Sequence, residues 1–269
     1  LDKYYTSKEL AKHCIDVVSG LNLDISETIE PSAGNGSFSL QIPDCIAYDL
    51  EPEHESIIQQ DFLTLNLPYK PGRLFIGNPP FGNGNKLSVK FYKHCVRMGD
   101  YIAFILPISQ LNNSVTLYEF DLIYSEDLGK TGYSDRNVHC CFNVYKRPLY
   151  ELNKRPNFDL NEVSLRGVNR SNSRNDKVPN EYDFSISAFG SSIGKICEYE
   201  HQYCQQTYIT ILNVELKDKI YNLLNNVKWT EIYNMTGSPI LGHWMINKYL
   251  KECIPELTFV QSSKPNPFV

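Results

Sequence analysis

The stretch Leu74–Gly82, LFIGNPPFG, sets an asparagine, two prolines and a phenylalanine directly after an apolar run. At average usage of Asn and Pro, an Asn-Pro-Pro-aromatic tetrad arises by chance in roughly one chain of this length in three hundred. Two prolines donate no N–H, so a strand cannot continue through them, and their carbonyls are left for an outside donor. The tetrad is a rigid turn whatever else it does, yet a turn requires neither Asn78 nor Phe81. Two acceptors and an aromatic face suit a planar amino group, such as the 6-amino group of adenine. That nitrogen is a poor nucleophile because its lone pair is delocalised into the ring. The Asn78 side-chain oxygen and the Pro79 carbonyl can each accept one of its hydrogens, which favours a pyramidal nitrogen with its lone pair aimed at an electrophile. Phe81 can stack on the ring, and the chemistry asks for positioning rather than for a general base. The matching electrophile is the methyl sulfonium of S-adenosylmethionine (SAM).

Three upstream stretches have residues suited to such a cofactor. In Ile29–Phe38, IEPSAGNGSF, an apolar run ends in Glu30 and turns through Ala33, Gly34, Asn35 and Gly36, where glycine permits positive φ and lets a ligand approach the backbone. It lacks the third glycine of a dinucleotide fingerprint, and a glycine turn after a strand is often punctuation alone. In Ala47–Pro52, AYDLEP, a second run closes on Asp49 about fifteen residues later, where a carboxylate can accept hydrogen bonds from ribose hydroxyls. Gln60, Asp61 and Phe62 repeat the pattern: Asp61 could accept from an adenine amino group while Phe62 packs on the ring. Singly, each carboxylate reads as a solvated strand end; three in register with a glycine turn read as a binding site.

Positioning these groups requires alternating strands and helices. Thr6 followed by Glu9 spells a capping box, and Leu10, Cys14, Val17, Val18 and Leu21 recur at helical spacing, so a helix is expected over about 7–19. Apolar runs at 28–30, 45–49, 56–58, 73–77, 101–106 and 139–145 read as strands, and Lys86–Met98 offers a helical apolar side. The alternation predicts an α/β fold with a mostly parallel sheet covered on both faces. With 269 residues, 42% of them hydrophobic, one large domain or two modest ones are expected. No signal peptide or membrane span is evident, so a soluble cytoplasmic protein with no membrane partner is expected.

EPSAGNGSF, AYDLEP, QQDF and GNPPFG resemble motifs I to IV of the amino-methylating class I methyltransferases, and the preceding KYYTSKEL resembles their motif X. The similarity is greatest to bacterial and phage adenine-specific DNA methyltransferases of the gamma arrangement, and it covers about residues 3–148. It implies a Rossmann-like seven-stranded sheet in the order 3-2-1-4-5-7-6. It also implies that Tyr5, Thr6, Glu30, Ala33 and Gly34 contact the methionine end of SAM, Asp49 its ribose, and Asp61 and Phe62 its adenine. Asn78, Pro79, Pro80 and Phe81 would carry catalysis. Phe142, in HCCFNVYKR, would sandwich the target base with Phe81, although a core phenylalanine explains it equally well. The implied activity is methylation of the 6-amino group of adenine in double-stranded DNA, as a restriction-modification, phage or orphan methylase, with a cognate restriction endonuclease as a possible partner.

The second half differs in character. The segment 154–177 is rich in Asn and Ser and carries six basic against three acidic groups, which reads as a linker or basic loop within 150–180. Residues 1–149 are then the catalytic domain and 150–269 a smaller mixed α+β target-recognition domain. In the latter, 182–189, 193–199 and 206–212 read as strands, and Leu216, Ile220, Leu223, Leu224 and Val227 as a helix face. Arg166, Arg170, Arg174 and Lys177 are candidates for phosphate contact. The net charge of −5 comes from an acidic excess in the first half, so a polyanion belongs with the near-neutral second. Eight cysteines without a CxxC pair read as reduced thiols; Cys197, His201 and Cys204 have ligand-like spacing but no second pair, so no metal is expected. Three alternatives remain: an RNA adenine methyltransferase, a protein-glutamine methyltransferase, and a catalytically silent nucleic-acid-binding module.

Overall fold

The structure, a computed structural model, describes residues 5–133, 136–170, 177–233, 235 and 239–260, without the side chains of 131–137. The chain divides into two units, Leu1–Arg155 and Pro156–Val269.

The first unit begins with helix α1, Lys8–Gly20. The capping box expected at Thr6 is displaced by one residue: Ser7 is the N-cap, and its hydroxyl accepts from the Leu10 backbone N–H at 3.1 Å. That shift leaves the Thr6 hydroxyl outside the helix. Strands β1 (Glu27–Glu30), β2 (Ile46–Asp49), β3 (Ile58–Gln59), β4 (Arg73–Gly77) and β5 (Tyr101–Pro107) pair in parallel, and helix α2 (Lys86–Val96) joins β4 to β5. Two long antiparallel strands, β6 (Asp121–Tyr133) and β7 (Arg136–Lys146), complete a seven-stranded sheet in the order β3-β2-β1-β4-β5-β7-β6. This is the order implied by the sequence motifs, and the fold is α/β and Rossmann-like.

Strand alternation sends successive side chains to opposite faces. Phe75, Ile102, Phe104, Leu106, Cys141 and Tyr145 join Phe91, Tyr92 and Cys95 of α2 in one core cluster. Leu74, Ile76, Ala103, Ile105, Cys140, Phe142 and Val144 join Ala11, Cys14 and Val18 of α1 in another. Burial of both faces is what a parallel sheet requires. Strand β6 escapes the sequence reading because it is an edge strand with a mixed, half-exposed composition, broken by register shifts at Leu122/Tyr124 and Asp127/Gly129.

The second unit holds a three-stranded antiparallel sheet, β8 (Val163–Asn169), β10 (Gln205–Ile211) and β9 (Phe184–Ser187), in that order. Helices α3 (Lys217–Asn225), α4 (Trp229–Ile232) and α5 (His243–Cys253) accompany it, and Ile209, Ile211, Ile220, Leu224, Trp229, Ile246 and Leu250 share one core cluster. The expected linker is not a loop throughout: part of 150–180 is strand β8, where Val163 and Leu165 pack into the core cluster and Val168, on the opposite face, is also buried, which outweighs the polar composition. The strand expected at 193–199 is also absent. Its place is taken by a turn through Gly194 (φ +79°) and the single bridge Ile186–Ile196. Among the described residues no helix is long and apolar enough to cross a membrane.

Candidate functional site

In the first unit, β2 and β3 leave β1 on one side and β4 on the other, and at such a switch point the carboxyl ends of adjacent strands open a crevice. A cavity of about 340 Å³ lies there, lined by residues that immediately follow β1, β2, β3 and β4. Each cofactor-side residue singled out in the sequence lines it: Tyr5, Thr6, Glu30, Ala33, Gly34, Asp49, Asp61 and Phe62. So do Asn78, Pro79 and Pro80 of the tetrad.

The turn after β1 forms one wall. Gly34 (φ +54°) takes up the left-handed conformation the sequence demanded of it. Its N–H donates to Asp49 Oδ2 at 2.8 Å, and the other oxygen, Oδ1, accepts from the Glu51 N–H at 2.8 Å. Asp49 is thereby fixed across two strand ends before any ligand arrives. The Ser37 hydroxyl lies 2.7 Å from both the Thr6 carbonyl and Asn35 Oδ1 and shares its one proton between them. Tyr5 donates its hydroxyl to Glu53. At the far end, Asp61 Oδ1 accepts from the Leu63 N–H at 2.9 Å. The Phe62 ring is backed by Phe91, stacked at 5.9 Å, and by His94, edge-on at 5.2 Å. Phe62, Phe91, Leu50, Leu63 and Leu87 give the cavity an apolar body between its polar ends.

Glu30 is a deeply buried acid of the site. It is 2% exposed, and its Oε2 accepts from the Ser39 N–H at 2.8 Å. Burial pushes its pKa up to about 8 against that hydrogen bond, and nearby Asp49 adds to the rise. Its side chain lies over Gly77 (φ +151°), where a Cβ would sit 3.4 Å from Glu30 Cγ. Glycine before the tetrad thus serves both the backbone conformation and the close approach of this carboxyl.

Asn78 is held from two sides. Its Nδ2 donates to Thr6 Oγ1 at 3.2 Å, and its backbone carbonyl accepts from the Ser32 hydroxyl at 3.4 Å. The two aromatics expected to sandwich a base are not brought to the cavity wall. Phe142, on β7, is fully buried, and Phe81 is 8% exposed. Both belong to the apolar cluster that includes Ala11, Cys14 and Phe38, and neither lines the cavity. Ser32, Ser37, Leu87 and Phe91 are cavity residues that sequence reasoning missed. The serines flank the glycine turn, which was their available signal.

In the second unit, Arg166 on β8, Arg170 and Lys177 are exposed, and Arg170 donates to the His201 carbonyl at 3.1 Å. Arg174 lies outside the described residues. Burial raises the pKa of the Cys197 thiol, which disfavours a thiolate ligand there. Among the described residues no group of three or more His, Cys, Asp or Glu side chains is placed to hold a metal ion.

No protein-family model matches the chain, and no curated protein matches it. Solved structures do. A Pyrococcus horikoshii protein provisionally described as an RNA methyltransferase is similar at TM-score 0.44 and 12% identity, over 55% of this chain and 88% of its own. The 23S rRNA methyltransferase ErmE is similar at 0.40 and 15%, over 57% and 72%. The tRNA m1G37 methyltransferase of M. jannaschii is similar at 0.39 and 16%, over 56% and 51%. With these scores below 0.5, the fold assignment rests on the strand order of the sheet itself.

Proposed function

We propose that the chain is a SAM-dependent methyltransferase acting on the 6-amino group of adenine in DNA. The observation that carries this reading is a single cavity. It brings Asn78 and the Pro79–Pro80 turn together with a glycine turn and acidic residues after three successive strands. The donor set suits a cationic nucleoside: Glu30 is a buried carboxyl that keeps its proton near neutral pH for want of a basic neighbour among the groups that shift it, so that a bound ammonium would favour its ionised form, and Asp49 is preset beside the turn. When bound, SAM supplies the electrophilic methyl. Glu30 and the Gly34 turn would hold the methionine end, Asp49 the ribose, and Asp61 with Phe62 the adenine. The protein's part in the transfer is orientation: Asn78 Oδ1 and the Pro79 carbonyl accept the two amino hydrogens and direct the lone pair. As the N–C bond forms, the S–C bond breaks and its electron pair stays on the sulfur of S-adenosylhomocysteine; the methylated nitrogen, then cationic, is strongly acidic and releases one proton to water, so no side chain of shifted pKa is required. Stacking by Phe81 would require its ring to leave the apolar cluster that now holds it.

A duplex adenine must be flipped out of the stack at a cost of a few kcal/mol, which contacts elsewhere must offset. The second unit, with exposed Arg166, Arg170 and Lys177, is the candidate source of those contacts and favours a polyanionic substrate over a peptide glutamine. A modification methylase, alone or with a cognate restriction endonuclease, is the biological role this reading implies. The test is incubation of the full chain with methyl-labelled SAM and, separately, mixed-sequence duplex DNA, RNA of matching sequence and a glutamine peptide. Label recovered as N6-methyladenine from DNA supports the proposal. Recovery from RNA or peptide alone would replace it with the corresponding alternative.

A further inference from the structure

Resting on the amino-methylation reading above, we infer that Thr6 is a positioning residue for the catalytic carboxamide, not a cofactor contact. The geometry points to this in three steps. First, the helix cap is Ser7, so the Thr6 hydroxyl is not spent on the α1 N-terminus; it accepts from Asn78 Nδ2 at 3.2 Å instead. Second, Thr6 is itself fixed. It is 7% exposed, and its carbonyl accepts from the hydroxyl of Ser37, which closes the glycine turn. Third, the Asn78 backbone is tied to the same turn through Ser32. The asparagine is therefore clasped by the segment before α1 and by the turn after β1, the two elements that form the cofactor side of the cavity.

A carboxamide has a donor end and an acceptor end joined by a nearly free terminal torsion. Only the acceptor end serves an amino substrate, since two N–H donors facing each other repel. With Nδ2 occupied on Thr6, the end turned away from Thr6 is Oδ1, and the plane of the amide is held. Loss of the hydroxyl removes this tie, loosens the hold on the amide plane and lets the wrong end turn toward the substrate more often. The cofactor cradle keeps its other contacts, because Asp49, Glu30 and the Gly34 turn do not depend on the Thr6 side chain.

Thr6→Val keeps the shape of the side chain and removes only the hydroxyl; Thr6→Ser keeps the hydroxyl. The expected result for Thr6→Val is a fall in kcat of about 10- to 100-fold, the range typical of residues that orient an active-site group. SAM affinity, measured by calorimetry, is expected to stay within about twofold of the parent, and Thr6→Ser to recover most of kcat. Nuclear magnetic resonance supplies a readout apart from turnover: the Asn78 side-chain NH2 signals, identified by their loss in Asn78→Asp, should exchange faster in Thr6→Val. Weakened SAM binding with kcat at saturation unchanged would overturn the inference and return Thr6 to the cofactor. Equal loss in the Val and Ser variants would overturn it in favour of a packing role. A parent protein that methylates no amino acceptor would sink the underlying reading, and unchanged amide exchange would then reject the Thr6 contact separately.

Discussion

Replacing Glu30 by glutamine isolates the effect of burying an ionisable group in the cavity. The buried carboxyl has its pKa pushed up to about 8, against 4.5 for an unperturbed glutamate. The sign follows from linkage: above pH 4.5 the unfolded chain releases a proton that the folded chain keeps. Glu30 therefore favours folding at low pH, and this contribution is lost as pH rises through about 8. With those two values the loss between pH 5 and 8 is ~3–4 kcal/mol, approaching 1.4 kcal/mol per pH unit mid-range. At 2% exposure little solvent screening reduces it. Glu30→Gln keeps the size and an acceptor for the Ser39 N–H but cannot titrate. The stability difference, parent minus variant, should thus fall by ~3–4 kcal/mol from pH 5 to 8 whatever constant offset the amide introduces. The assay must report on the first unit. Both tryptophans, Trp229 and Trp244, lie in the second, so their fluorescence is the control and hydrogen exchange at the β1 and β4 amides is the probe. Parallel pH curves for the two proteins would refute the burial account of Glu30.

Other expectations rest on separate contacts. Asp49→Ala releases the Gly34 and Glu51 N–H groups together and removes the proposed ribose acceptor, so SAM affinity should drop at least about tenfold by calorimetry. Gly194→Ala would put a Cβ 2.1 Å from the Trp229 ring at a positive φ. Tryptophan-detected unfolding should show a loss of several kcal/mol, and a variant as stable as the parent would contradict the packing described. Arg166→Ala should weaken binding to duplex DNA about equally across sequences and reduce the slope of log affinity against log salt by about one, as expected for one phosphate contact. A change confined to one sequence would instead indicate base reading.

The parts of the site legible in the sequence are those set by local chemistry. Gly34 and Gly36 announced positive φ, Asp49 and Asp61 closed apolar runs, and Pro79–Pro80 ended a strand; each lies where its neighbours in sequence require. What stayed hidden depends on contacts distant in sequence. Thr6 lies 72 positions from Asn78, and the capping rule that explained it as a helix start was satisfied equally well by Ser7. Phe81 and Phe142 are suitable for stacking by residue type, but only the fold shows that both rings join the apolar cluster of α1. Strand β8 was obscured by the polar residues around Val163, Leu165 and Val168, whose partners come from β10 more than thirty residues later. Helix α5 was not anticipated at all.

The central claim, that the tetrad performs transfer while the strand-end carboxylates and glycine turn bind the cofactor, is tested most directly by Asn78→Ala. SAM affinity and single-turnover methylation of duplex DNA are measured on the same preparation. The account predicts SAM binding within about threefold of the parent and transfer slowed by about 10³-fold or more, since an acceptor used only in the transition state has been removed. Equal loss of binding and transfer, or transfer at the parental rate, would contradict it.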